Sequence, residues 1–272
     1  MVSPAWSPRA KLAALRKMTL EDLHQYARKL FEHSELRMLA YGNLTREEAR
    51  KMEGLLRTKL LGKTRLAPVQ DPVVRRLEIG KMERVRYAVD HPDSVVAVYF
   101  QGEGRDAAEQ ARWQLLAQVL QSPFHTELRT EQQLGYVVAA VPLEKEKLPG
   151  LLFLVQSSTA SAEEVEKRID SFVQGIGKLV SSMDDQAFEA HKAGLANKLL
   201  KKDQNTLERA LRYMDNLERE EYNFDFRRKL AAEVKKLDRE KILGFYRQRL
   251  LHKSRKLLVY SPGTRFPEES GS

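Results

Sequence analysis

The chain has 272 residues and a formal net charge of +9, and 42% of its residues are hydrophobic while 31% are charged. This composition predicts a globular chain that buries about three quarters of its unfolded surface. The lack of cysteine excludes disulfides and cysteine-ligated metals, and no apolar run approaches the ~20 residues of a membrane span.

The sequence indicates two helices near the start of the chain. The spacing of a capping box, with Thr followed three positions later by Asp or Glu, occurs at 19–22 and at 45–48. It predicts helices that begin at Leu20 and Arg46. The apolar segment ELRMLAY at 35–41 is interpreted as a strand between them.

A change of pattern follows at LAPVQDPVV, residues 66–74. Its prolines, Pro68 and Pro72, have the spacing of an extended connector. We therefore predict a domain boundary, with residues 1–68 in one domain and residues 69–272 in the next.

The remainder alternates between strands and helices. Runs rich in Val, Ile and Tyr predict strands, and amphipathic runs predict helices. The predicted strands are 73–79, 84–90, 94–101, 136–142, 150–157 and 255–261, and the predicted helices are 106–120, 122–132, 161–182, 184–201, 205–219 and 226–250, the last with breaks. Strands that cluster before helices predict an α+β fold, a layered domain with a mostly antiparallel sheet and helices on one face.

The chain contains an internal repeat. Residues 17–41 align without a gap with residues 236–260, and both copies read as helix followed by strand. The identical positions in the first copy are Lys17, Glu21, Arg28, His33, Leu39 and Tyr41. The second copy closes a domain, whereas the first stands almost at the start of the chain. We expect residues 1–68 to be the tail of a preceding domain of the same fold, so that the chain is a fragment.

The net positive charge is spread along mixed-charge helices. In EEVEKRID at 163–170, acidic and basic residues alternate with the i,i+4 spacing of solvated helix faces. GEGRDA at 102–107 is too short for a dinucleotide fingerprint and predicts a strand-to-helix turn. Nucleic-acid binding is therefore not the favoured interpretation.

The segment LRTEQQLGYVV at 128–138 joins a predicted helix to a predicted strand. Taken alone, Arg129 reads as a surface residue at a helix end and Tyr136 as a core residue at a strand edge. The alternative is that both side chains reach a substrate, because a guanidinium and a phenol both donate hydrogen bonds.

The same segment resembles the LRT-x-x-QLGY run of the insulinase or pitrilysin family of zinc metallopeptidases. YGNLT at 41–45, GLLFLVQSS at 150–158 and EEYNFD at 220–225 lie in the expected order around it. The resemblance covers nearly the whole chain, as the end of the third domain and all of the fourth. It implies an insulinase-like fold in two halves that close around a peptide.

The resemblance also implies roles for three residues. Arg129 and Tyr136 map onto residues that contact the substrate carbonyl and complete the catalytic site from the noncatalytic half, where such donors stabilise a developing oxyanion. Thr126 is assigned to substrate binding with them. Thr126 and Glu127 stand where relatives often carry Asn and another polar residue, which leaves the substrate preference open.

The family's zinc is implied for the parent enzyme only. Its H-x-x-E-H motif is not begun by any of the six histidines of this sequence. We therefore expect no metal ligand in this chain, and we expect the chain to be inactive alone.

Two functions remain open from the sequence. The first is the C-terminal, noncatalytic half of a zinc endopeptidase, with a peptide substrate and the N-terminal catalytic half of the same polypeptide as partners. Resemblance to pitrilysin implies a bacterial, periplasmic protein, with a cytoplasmic location as the alternative. The second function is a stand-alone peptide- or nucleic-acid-binding module without catalysis.

Overall fold

The computed structural model describes residues 2–3, 5–30, 32–34, 36–62, 65–66, 72–87 and 89–266. Its helices are α1 (Pro8–Leu15), α2 (Leu20–Leu30), α3 (Arg46–Lys59), α4 (Ala107–His125), α5 (Ala162–Ser182), α6 (Asp185–Leu200), α7 (Thr206–Glu218), α8 (Phe226–Lys235) and α9 (Arg239–Tyr246). Its strands are β1 (Val2–Ser3), β2 (His33–Ser34), β3 (Arg65–Leu66), β4 (Val73–Val74), β5 (Met82–Arg86), β6 (Ser94–Gln101), β7 (Val137–Pro142), β8 (Gly150–Ser157) and β9 (Lys256–Ser261).

The chain divides into two compact units. The larger consists of Val74–Lys201 with Asp225–Ser272, and the smaller of Val2–Val73 with Lys202–Phe224. Pro68 lies outside the described residues, and the assignment of residues 1–68 and 69–272 to two domains stays a prediction.

The larger unit is built on a five-stranded sheet in the order β5-β9-β6-β8-β7. β9 is parallel to β5 and antiparallel to β6, while β6–β8 and β8–β7 are antiparallel. Side chains alternate between the faces because a strand has a period of two: Val96, Val98 and Phe100 of β6 are buried on one face. The predicted layered fold with a mostly antiparallel sheet is confirmed.

Helices cover one face of this sheet. α5 shows the reason in its sequence, because its apolar residues recur every three to four positions and form one stripe. The stripe comprises Val165, Ile169, Phe172, Val173, Ile176 and Val180, all buried. In the described ranges, the opposite face of the sheet carries a small buried cluster of Leu77, Tyr99 and Leu257. Val95 and Ala97 on that face are half-buried, so part of it is open.

The smaller unit is held by helix caps and aromatic contacts. The Thr45 hydroxyl accepts from the Glu48 backbone N–H at 3.2 Å, and the Glu48 carboxylate accepts from Thr45 N–H at 2.6 Å, which confirms that capping box. Tyr213 of α7 contacts the rings of Tyr41 and Phe224, each with centroids 5.2 Å apart.

The predicted strand at 35–41 is wrong for residues 36–41, which form no strand; residue 35 lies outside the described part. The short strand of this region is β2, which pairs in parallel with β3. A strand requires a neighbouring strand that satisfies its backbone groups, and an apolar sequence alone does not supply one.

Other boundaries differ for local reasons. The predicted strand at 73–79 ends at Val74. Beyond it, the Gln101 side chain and not a neighbouring strand satisfies the backbone: it accepts from Leu77 N–H at 3.0 Å and donates to the Arg75 carbonyl at 3.1 Å. The predicted strand at 84–90 lies instead at 82–86, where it matches β9. The helices predicted at 106–120 and 122–132 are one continuous helix that runs into a π-helical turn.

Within the described residues, no helix is both long enough and apolar enough to cross a membrane.

Candidate functional site

The site begins where α4 widens into a π-helical turn at Thr126–Glu131. The turn is closed by an N–H of Gln132 that donates to the Glu127 carbonyl at 2.9 Å, five residues back. Such turns are rare in proteins, and those that occur often lie at functional sites. Leu128 is completely buried and anchors the turn, while Arg129 beside it is exposed.

The chain then reverses into β7 through a tightly packed loop. Gln133 adopts a left-handed conformation with φ of 52°, and Leu134 returns to the core. The Leu134 carbonyl accepts from the hydroxyl of Thr159 at 3.2 Å and from that of Ser157. A Cβ atom on Gly135 would lie 1.9 Å from the Gln156 carbonyl oxygen, so only glycine fits this close approach.

This framework brings Arg129 and Tyr136 together. The Arg129 guanidinium carbon lies 4.9 Å from the centroid of the Tyr136 ring, a cation–π contact worth about 0.5–1 kcal/mol at an exposed position. Tyr136 is 82% exposed. It is therefore a surface residue, and the interpretation of Tyr136 as a strand-edge core residue is wrong.

His125 adds a second contact to the arginine. Arg129 Nη1 lies 3.2 Å from His125 Nε2. Because arginine has only donors, a hydrogen bond between these two nitrogens requires the tautomer of His125 in which Nε2 is the acceptor. His125 was not predicted from the sequence, although its i,i+4 spacing from Arg129 on a helix was a usable signal.

Glu127 is the acidic neighbour on the same turn. Burial, and then the nearby charge of Glu131, raise the pKa of the Glu127 carboxyl. Its Oε1 accepts from the Gln132 side chain at 3.3 Å. Among the contacts described, the Arg129 guanidinium has no carboxylate partner, and its remaining donors are available to a ligand.

Thr126 lies one helical turn before Arg129 and is exposed. In the part of the chain that the structure describes, no contact joins Thr126 to Arg129 or Tyr136. The assignment of Thr126 to substrate binding therefore stays a prediction, as do the roles assigned to the other two residues.

In the described ranges, no three or more His, Asp or Glu side chains are grouped so that they could hold a metal ion. The zinc that the resemblance implies for the parent enzyme stays a prediction.

The chain is similar to peptidases over most of its length. The family described as "PQQ synthase PqqF-like, C-terminal lobe domain 4" matches residues 115–214. A nardilysin-like protein of Arabidopsis thaliana is 27% identical over 87% of this chain and 24% of its own length. Human insulin-degrading enzyme is 26% identical over 92% of this chain and 25% of its own length.

The fold is shared with a solved structure. The crystal structure of pitrilysin superposes with a TM-score of 0.82 at 23% identity, over 99% of this chain and 29% of that chain. The chain therefore spans about a quarter of the length of the curated relatives it matches. The comparisons confirm the resemblance: the chain is similar in sequence to peptidases of the insulinase type, and it shares the fold of pitrilysin.

Proposed function

We propose that this chain is the noncatalytic C-terminal part of a zinc-dependent endopeptidase of the insulinase type, and that it binds the peptide and closes the peptide-degrading chamber. The observation that carries the proposal is the exposed Arg129–Tyr136 pair on a fixed turn. A periplasmic location and a bacterial origin are part of the proposal; fractionation of the source cells tests the location.

The pair suits a peptide carbonyl. Its oxygen accepts hydrogen bonds and gains negative charge when the carbonyl is attacked, and donors aimed at that oxygen stabilise the charge. Arg129 supplies a donor that stays charged at any working pH, and Tyr136 supplies a hydroxyl. Both donors are preorganised, because Leu128 and Leu134 anchor the segments on either side of the pair.

The parent enzyme gives the decisive test. Tyr136→Phe removes one donor and keeps the ring, so we expect kcat to fall by about 10²–10³ with little change in the thermal midpoint. Arg129→Ala should lower kcat/KM at least as much, because it removes a charged donor. The matched control is Tyr222→Phe, at another exposed tyrosine, which should leave both quantities unchanged. Unchanged turnover with a lowered midpoint in Tyr136→Phe would contradict the proposed role.

The noncatalytic assignment has its own test. The purified chain alone should hydrolyse no peptide, with or without added zinc. Metal-dependent cleavage that a chelator abolishes would overturn this assignment. An H-x-x-E-H motif upstream in the same gene would separate the proposal from the stand-alone binding module.

A further inference from the structure

A cleft lies on the open face of the sheet, opposite to the helices. Its volume is about 350 Å³, at the lower end of the range for small-ligand sites. Apolar side chains form most of the lining, and polar groups gather at one end. The lining residues are Tyr87, Val89, His91, Asp93, Val95, Ala97, Gln156, Val259, Tyr260 and Ser261.

The polar end of the cleft is rigidly built. Gln156 Nε2 donates to Asp93 Oδ2 at 2.9 Å, and the Asp93 N–H donates to His91 Nδ1 at 3.1 Å. The segment after β9 fastens this wall, since Thr264 N–H donates to the His91 carbonyl at 2.9 Å. These polar groups bond to one another, so the apolar floor is the part of the cleft left for a ligand.

The exposure of the apolar side chains in this floor is unusual. Val95, Ala97 and Val259 are only half-buried, and Tyr87 and Val89 beside them are 59% and 54% exposed. An apolar concavity on a soluble surface marks a place where an apolar group binds.

The strand register connects the cleft to the Arg129–Tyr136 pair. Val137, which follows Tyr136, is opposite Gln156 of β8; Gln156 is opposite Val95 of β6, and Val95 is opposite Ser261 of β9. Neighbouring strands are about 4.8 Å apart, so β6 and β9 lie about 10 and 14 Å from β7. An extended peptide covers that distance in about three to four residues, at roughly 3.3 Å each.

From this register we infer that the cleft is a specificity subsite for an aromatic or large aliphatic side chain of the peptide, three to four residues from the residue held by Arg129 and Tyr136. The inference rests on the proposed function, which supplies the peptide. The apolar floor buries the side chain, and Tyr87 lies at its edge.

Fluorescence anisotropy tests the subsite on the chain as it stands. The probes are two labelled peptides that differ only in one residue, Phe or Ala. Wild type should bind the Phe peptide about tenfold more tightly, because the ring leaves water. Ala97→Phe fills the cleft and should reduce this ratio to about one.

The control substitution lies in the same row of the same sheet face. Ala139 is aligned through Leu154 with Ala97 but does not line the cleft, so Ala139→Phe should keep the tenfold ratio. A second measurement needs no variant: a peptide with p-benzoylphenylalanine in place of Phe should crosslink wild type at the cleft lining, which consists of alternate residues from Tyr87 to Ala97, Gln156 and residues 259–261.

The outcomes separate the subsite from the proposed function. Equal binding of the two peptides that still depends on Arg129, or crosslinks confined to other segments, overturns the subsite alone. A Phe preference that Ala97→Phe abolishes supports the subsite, and if Arg129→Ala then leaves binding unchanged, the proposed role of Arg129 fails. Absence of any peptide binding overturns both.

Discussion

The two copies of the internal repeat have similar sequences and different surroundings. At equivalent positions, Phe245 of α9 is 3% exposed while Tyr26 of α2 is 63% exposed, and Ile242 is fully buried while Leu23 is 51% exposed. α9 packs in the core of the larger unit. The local sequence is therefore enough to specify the helix, whereas the burial of its apolar side chains depends on a sheet for the helix to cover.

The segments after the two helices differ in the same way. β9 lies between β5 and β6 and is hydrogen-bonded on both sides. The equivalent residues 37–41 form no strand, and Tyr41 packs instead against Tyr213 of α7. Its counterpart, Tyr260, is opposite Val96 of β6.

The largest expected difference between the copies is in amide exchange. The amides of Leu257–Val259 should exchange only on global unfolding, because strands on both sides hold β9, whereas those of residues 37–41 should exchange through local opening. We expect a rate ratio of at least about 10³. Hydrogen exchange followed by mass spectrometry measures it. Equal protection of both segments would show that the first copy has a sheet of its own.

Core and surface substitutions should show the next largest difference. Phe245→Ala removes a buried ring and should lower the free energy of unfolding by about 3–5 kcal/mol. Tyr26→Ala, at the equivalent position of the exposed copy, should change it by less than about 0.5 kcal/mol. Urea denaturation of the two variants tests this. A loss above 2 kcal/mol for Tyr26→Ala, on the same scale, would mean that α2 is buried in solution.

Substitution of the N-cap residues should give the smallest difference in stability between the two copies. Asp238 caps α9 by accepting from Lys241 N–H at 2.8 Å, and Thr19, its equivalent, accepts from Asp22 N–H at 3.2 Å. Asp238→Ala should cost about 1 kcal/mol. Thr19→Ala should cost less in global stability, because the helix it caps has no buried residue. A larger loss for Thr19→Ala would reverse the comparison.

The stabilisation that the Asp238 cap contributes should also depend on pH. Hydrogen bonds from the Lys241 side chain and then from its backbone N–H lower the pKa of Asp238. Because the pKa is lower in the folded state than in the unfolded state, the stabilisation is present above about pH 4 and is lost as the pH falls through the folded-state pKa. The stability difference between wild type and Asp238→Ala should therefore shrink below pH 4.

Local signals predicted the helices of this chain well. The spacing of Thr45 and Glu48 identified the start of α3 at Arg46, because a capping box depends only on residues within one turn. The strand predicted at 35–41 failed because pairing depends on segments distant in sequence. Its apolar pattern resembles that of β9, but the partners of β9 begin at Met82 and Ser94.

The candidate site was only partly predictable. The LRT-x-x-QLGY run identified Arg129 and Tyr136, and the structure shows their contact. His125 was within reach of a spacing argument. The cleft could not be predicted in this way, because its lining combines alternate residues from Tyr87 to Ala97 with Gln156 and residues 259–261. Only the strand register brings these segments together.

The LRT-x-x-QLGY run, which contains Gly135, is under two kinds of evolutionary constraint. The Gly135 backbone approaches the Gln156 carbonyl so closely that any side chain must displace β8 or the loop. Selection for folding alone is therefore expected to retain this glycine, even in a descendant that has lost all enzymatic activity. Arg129 and Tyr136 are exposed, so folding alone exerts little pressure on them. Loss of this exposed pair beside a retained glycine would thus identify a degenerate copy from its sequence.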